Sequence, residues 1–240
     1  MRYMGGKARV VRHLAEILSQ ALDLTGGRWI EPFTGGLNVL PAVAGSVTSA
    51  WLNDAAPGLI NMYRALAAGE FCPPEEVTEE EYRRLRAEGG EDPLSTFAAY
   101  GCSFGGKRWG GYAREGSRNP DLNLGAVAGR SLLRALPSLS RVTRWTSQDY
   151  LALDLGSEPR STIYCDPPYE GTTGYQARFD HDQFRAWCEE QAQRHHVLVS
   201  EYDGYHRPGW EIVWSRERQV ALDVSQKQQR KLEVLMEVRV

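Results

Sequence analysis

The stretch Thr162-Ile163-Tyr164-Cys165-Asp166-Pro167-Pro168-Tyr169 decides how the chain is read. Thr162 to Cys165 form an apolar β-type run, the mark of a strand buried in a parallel sheet. Pro167 and Pro168 remove two backbone donors, so the strand stops at Asp166. Open α/β sheets hold ligands at the carboxyl ends of their strands. An acid, a carbonyl with no competing ladder bond and an aromatic face therefore meet at a cleft. These are the groups needed to grip a planar base that carries an exocyclic amine. The plainer reading of the tetrapeptide alone is a strand-ending turn with an incidental Asp.

Upstream, Arg2-Tyr3-Met4-Gly5-Gly6-Lys7 sets an aromatic and a Gly-Gly-Lys ahead of a helical pattern over residues 8–22. Trp29-Ile30-Glu31-Pro32-Phe33-Thr34-Gly35-Gly36 reads as a strand running into a glycine loop. Gly35 and Gly36 let the backbone approach a ligand where a Cβ would clash, and the loop feeds the helix-like Leu37-Asn38-Val39-Leu40, whose amino terminus favours electron-rich groups. The pattern is Phe-x-Gly-Gly and not the dinucleotide fingerprint, so an ordinary turn is the competing reading. Asp54 follows Gly35 at the roughly 20-residue spacing that presents an acid to ribose hydroxyls, and its alternative role is an N-cap ahead of Pro57. For Lys7 the alternative is a solvated lysine opening a helix.

Taken together, these motifs resemble those of the Dam-type DNA adenine-N6 methyltransferases, in the family's order and along nearly the whole chain, with a likeness to phage-type members. The resemblance implies an α/β fold, a Rossmann-like seven-stranded class I methyltransferase sheet with one antiparallel strand near the end. It implies S-adenosylmethionine as cofactor and double-stranded DNA as partner. Asp166, Pro167, Pro168 and Tyr169 would be catalytic; Tyr3, Gly6, Lys7, Glu31, Pro32, Phe33, Gly35, Asp54, Asp149 and Asp166 would hold the cofactor. Asp149 in Ser147-Gln148-Asp149-Tyr150 competes with a helix-capping role. Glu170-Gly171-Thr172-Thr173-Gly174-Tyr175 is expected to be a loop closing over the base.

The net charge of −3 looks wrong for a DNA-binding protein until it is mapped. Between Gly101 and Ser147, Lys107, Arg108, Arg114, Arg118, Arg130, Arg134, Arg141 and Arg144 face only Glu115 and Asp121. Such asymmetry is the footprint of a phosphate-contacting face on an otherwise acidic protein. Within it, Ser103-Phe104-Gly105-Gly106-Lys107-Arg108-Trp109-Gly110-Gly111-Tyr112-Ala113-Arg114 interleaves aromatic, basic and glycine residues. Lys107, Arg108, Trp109, Tyr112 and Arg114 are the DNA-binding candidates, with rings to stack on or wedge between bases. A flexible surface loop is the competing reading.

Strands are expected at 28–31, 49–52, 141–145, 162–165, 197–200, 211–214 and 232–239, and helices at 57–68 and 182–193. Composition shifts near Gly69, where a Glu-rich stretch with Pro73-Pro74 leads into the basic segment. The expected organisation is a catalytic domain of residues 1–68 and 141–240 with a mainly helical target-recognition insert at 69–140. Cys72, Cys102, Cys165 and Cys188 lack metal-ligand spacing and read as reduced structural thiols, and His195-His196 reads as a helix end, so no metal is expected. No apolar stretch approaches a membrane span and Met1 to Lys7 lack the core of a secretion signal, so the protein is expected to stay in the cytosol; a monomer is expected. The function read is site-specific adenine-N6 methylation of DNA, with cytosine-N4 methylation or a DNA-binding homologue without turnover as alternatives. No Asn-Arg type element for reading GATC is found.

Overall fold

Buried β-type runs alternating with amphipathic helices assemble here as one sheet with helices on both faces. The computed structural model describes residues 1–114, 123–170, 179–205, 207–220 and 229–240. Seven strands, β1 (Arg28–Glu31), β2 (Ser49–Asn53), β3 (Val142–Thr146), β4 (Thr162–Cys165), β5 (His196–Tyr202), β6 (Trp210–Val220) and β7 (Gln229–Val238), lie in the order β3-β2-β1-β4-β5-β7-β6. β1 to β5 pair in parallel, and β7 is antiparallel to both β5 and β6. This is the mixed seven-stranded sheet that the resemblance implied.

The helices are α1 (Val11–Leu24), α2 (Leu40–Val43), α3 (Pro57–Ala68), α4 (Glu79–Glu88), α5 (Pro93–Gly101), α6 (Leu124–Leu139) and α7 (His181–Ala192). Strand residues alternate between two cores. Trp29, Leu52, Tyr164, Leu198 and Leu235 face one cluster with α1 and α3; Ile30, Trp51, Ile163, Cys165, Val199 and Met236 face another with Phe184, Trp187 and Cys188 of α7. This two-sided burial is why the central strands read as continuous apolar runs. Tyr82, Leu85, Phe97 and Leu132, from the expected insert, pack into the same cluster as Leu14 and Trp29.

The chain leaves β1 toward β2 and β3, then returns past β1 to β4 and β5. That reversal opens a crevice at the carboxyl ends of β1 and β4, where Pro32 and Asp166 begin. Asn53 locks its floor. Its Nδ2 donates to Pro32 O and Gln148 O, both at 2.9 Å, and its Oδ1 accepts from Thr146 Oγ1 at 2.8 Å and Gln148 N at 3.2 Å. One buried amide thus ties together the ends of β1, β2 and β3.

Three expectations need correction. The stretch Leu37 to Val39 is not helical: Leu37 takes a left-handed φ of 52°, and the helix begins at Leu40 and lasts four residues. Lys7–Arg9 form a 3₁₀ turn, so α1 starts at Val11. β6 and β7 run well past their apolar portions, because the polar run Ser215 to Gln219 pairs through its backbone with β7 residues as far as Arg230.

Replacing Asn53 by Ala strands several buried partners at once, and the expected cost is on the order of 3 kcal/mol. Urea unfolding should show a lower midpoint at unchanged slope. A midpoint equal to wild type would mean that the three strand ends are held by something else.

Candidate active site

Lys7 is the unexpected centre of the crevice. Gly5, at a left-handed φ of 80°, turns the chain so that the Lys7 side chain runs inward, leaving the residue 2% exposed. An ammonium at such depth demands counter-charge. Its Nζ lies 2.5 Å from Asp166 Oδ1 and 3.7 Å from Glu233 Oε1, and it sits 4.6 Å from the centre of the Tyr169 ring. Tyr169 Oη donates to Glu233 Oε1 at 3.4 Å, and the Tyr169 ring meets Tyr202 edge-on at 4.8 Å. Burial raises the Asp166 carboxyl above its ordinary range while Lys7 pulls it back down. The lysine is therefore an ion-pair partner of Asp166, not a solvated helix opener.

Glu233 was not singled out in the sequence. It is 1% exposed on β7, and its signal was a lone acid inside the apolar strand Leu232-Glu233-Val234-Leu235-Met236.

The glycine loop is held from three directions. Gly35 N donates to Asp54 Oδ2 at 2.8 Å, Tyr63 Oη donates to Gly35 O at 2.5 Å, and Met1 N donates to Gly36 O at 2.7 Å. A Cβ on Gly36 would meet Tyr3 Cβ at 2.6 Å, and one on Gly35 would meet the Tyr3 ring at 3.0 Å. The close approach expected for a ligand is thus taken by the N-terminal motif itself. Gly6 serves the same packing, since a Cβ there would meet Asn38 at 2.7 Å.

Asp54 also accepts from Ala56 N at 2.9 Å, but the N-cap of α3 is Ala56, so the capping alternative for Asp54 does not hold. Burial pushes the Asp54 carboxyl up to about 6, against the two amide bonds that lower it. Glu31, which accepts from Trp29 Nε1 at 3.1 Å, is pushed by burial up to about 8. Phe33 packs against Tyr150 and Phe184, and Pro32 supplies the carbonyl bound by Asn53. Asp149 caps the 3₁₀ turn Tyr150–Ala152 through Leu151 N at 2.9 Å, which is its structural alternative.

The aromatic arm packs one side of its rings against the protein. Trp109 and Tyr112 pack on the buried Tyr82 at 5.1 and 5.5 Å, and Tyr112 Oη donates to Val77 O at 2.8 Å. Their rings are occupied with packing, and the exposed ring is Phe104, at 73%. Arg108 faces Glu91 at 3.4 Å and Arg114 faces Glu79 at 2.5 Å, so the acidic stretch partly neutralises the basic one in space; Lys107 is exposed. Gly106 abuts Tyr3, and its carbonyl accepts from Met4 N at 3.1 Å. Arg118 and the segment Gly171 to Tyr175 lie outside the described residues.

All four cysteines are free. His195 receives Ser161 N and lies 3.3 Å from Leu155 O, and His196 opens β5 beside Glu237. Among the described residues no group of three or more His, Cys, Asp or Glu is arranged to hold a metal ion, and no helix is long and apolar enough to cross a membrane.

Two outcomes follow from this electrostatic arrangement. Lys7→Met leaves buried carboxylates without their cation and should cost on the order of 3 kcal/mol, with at least about 1 kcal/mol regained in Lys7→Met/Asp166→Asn. Additive losses in denaturant titrations would refute the pairing. Glu31 is protonated when folded, so its contribution to stability is complete below about pH 4.5 and is lost as pH rises to about 8. Glu31→Gln should flatten the fall of stability over that window by up to about 1.4 kcal/mol per pH unit. Parallel stability curves for the two proteins would contradict the buried neutral acid.

Comparison with known proteins bears on this site. Residues 3–91, which contain the Gly-Gly-Lys, the glycine loop and Asp54, match the family model described as D12 class N6 adenine-specific DNA methyltransferase. No curated protein matches the sequence. Among solved structures, the rRNA methyltransferase aviRa from Streptomyces viridochromogenes is similar in two determinations. One shows 14% identity and a TM-score of 0.44, the other 16% and 0.42, each covering 97% of this chain and 86% of the other. Over residues 3–91, then, the chain is similar to the D12 class N6 adenine-specific DNA methyltransferases.

Proposed function

We propose that this protein is a site-specific DNA methyltransferase that moves a methyl group from S-adenosylmethionine to the exocyclic N6 of an adenine extruded from the duplex. The observation that carries the reading is the 2.5 Å contact between Lys7 and Asp166. It joins the family-matched segment to the Asp-Pro-Pro-Tyr that lies outside the match, so the two motifs form one site.

The crevice suits a cationic methyl donor. Asp166 and Glu233 both face the one buried Lys7 ammonium, two acids to one cation, and Asp54 lies against the glycine loop, a balance that favours a sulfonium. Bound there, S-adenosylmethionine would supply an electrophilic methyl group. Tyr3, Gly6, Lys7, Glu31, Pro32, Phe33, Gly35 and Asp54 would hold it, Asp54 releasing the Gly35 amide or sharing it with the sugar. Asp149 is the weaker member of that set, because its carboxylate is engaged as a cap.

An adenine amine is a poor nucleophile because its lone pair is delocalised into the ring. Asp166 and the Pro167 carbonyl, accepting its two hydrogens, favour a pyramidal nitrogen with the lone pair aimed outward. Pro168 fixes the turn that keeps the carbonyl there. Tyr169 offers a ring face to the extruded base, whose removal from the stack costs a few kcal/mol that the pocket must recover. Lys7 holds Asp166 in position and pulls its carboxyl down against the rise that burial imposes. Residues 69–140 would form the DNA-facing part, a functional rather than a packing division. Lys107, Arg108 and Arg114 would contact phosphates, the last two by exchanging Glu91 and Glu79, and Phe104 would take the base-facing place first assigned to Trp109 and Tyr112.

Asp166→Ala should lower the rate of transfer of tritiated methyl from S-adenosylmethionine to genomic DNA by more than about a thousandfold, since an aligned acceptor supplies several kcal/mol in the transition state. Its far-UV circular dichroism should stay that of the folded protein. Turnover within tenfold of wild type would end the assignment.

A further inference from the structure

β5 ends in Ser200-Glu201-Tyr202, and Glu201 is 0% exposed. Its Oε1 accepts from the Glu170 amide at 2.6 Å, the amide that directly follows Asp-Pro-Pro-Tyr. Its Oε2 has no hydrogen-bond partner among the described residues. Together with Glu170, Tyr202, Asp203, Tyr205 and Lys231, the residue lines a cleft of about 530 Å³ beside the edge-on pair Tyr169 and Tyr202. Burial holds the carboxyl up at about 9; the Glu170 amide and Lys7 pull it down and Asp166 pushes it up. At neutral pH the group is a carboxylic acid. Because Oε1 is occupied as an acceptor, the hydrogen belongs on Oε2, which leaves a buried donor in want of an acceptor. Such a donor is costly unless a ligand supplies the partner.

An adenine supplies one. Beside its exocyclic amine stands an unprotonated ring nitrogen, an acceptor next to a donor. The site offers the complement, with Asp166 accepting and Glu201 donating. We propose that Glu201 is a specificity-determining residue that gives its Oε2 hydrogen bond to the ring nitrogen adjacent to the amine of the extruded adenine. This deepens the function proposed above and rests on it. Bases that carry a ring N–H at that position, guanine and thymine, would oppose donor to donor and be rejected.

The test is a cycle between protein and base. Duplexes carry adenine or 1-deazaadenine, whose ring nitrogen is replaced by C–H, at the target position mapped by sequencing DNA that the wild-type protein has methylated. Wild type, Glu201→Ala and Glu201→Gln are compared by kcat/KM, and their folding is checked by thermal melting; Glu201→Met replaces the Ala variant if that one is unfolded. Wild type should lose about tenfold on 1-deazaadenine beyond whatever the variant without a donor loses, and Glu201→Gln, which keeps a donor and an acceptor, should stay within about threefold of wild type on adenine. The intrinsic effect of the altered base appears equally in both proteins and cancels. Equal penalties for wild type and Glu201→Ala overturn the assignment, as does a Gln variant as slow as the Ala variant. Wild-type protein that methylates no adenine duplex overturns the functional reading itself, and this inference with it.

Discussion

A single ammonium buried beneath the carboxyl ends of the central strands sets the terms for everything around it. Lys7 cannot sit at that depth unpaired, and the groups that pair with it come from β4 and from β7, with Asp166 lying 159 positions along the chain. Desolvation makes the arrangement intolerant of partial assembly: remove either side and the remainder is an uncompensated charge in a low-dielectric crevice. The fold answers by bringing N-terminal residues onto the switch point of the sheet. The ion pair is thus as much a statement about topology as about chemistry.

Holding those residues there falls to small side chains. Tyr3 is wedged between Gly35 and Gly36 on one side and Gly106 on the other, with Tyr100 against its ring. Any side chain at Gly36 or Gly106 would strike Tyr3, so two loops distant in sequence share one aromatic spacer. The glycines that sequence reasoning assigned to ligand contact serve first to bring the protein's own backbone segments together.

Much of this was legible from residues. β1 and α3 fall on their expected ranges, and β2, β3, β4 and α7 within a residue or so, because central strands buried on both faces and helices with apolar stripes leave strong periodic signals. What was lost had weak or misleading signals. The polar arms of β6 and β7 pair through backbone and carry no hydrophobic period. Trp109 and Tyr112 read as a surface pair in sequence, and only the fold shows that each, half-buried, also packs against Tyr82. Glu233 and Glu201 are acids in strands, and their depth depends on neighbours supplied by distant strands. Local composition cannot carry that information.

The insertion of β7 between β5 and β6 has a bearing on synthesis. A nascent chain that has emerged only as far as β5 already holds the glycine loop and Asp-Pro-Pro-Tyr, yet it lacks the strand that bears Glu233 and shelters the open flank of β5. Contacts of such long range form late and slowly. A ribosome-bound or truncated fragment is therefore left with an exposed parallel edge and an unfinished crevice. The crevice is completed only with the last strand, and incomplete copies are a matter for chaperones.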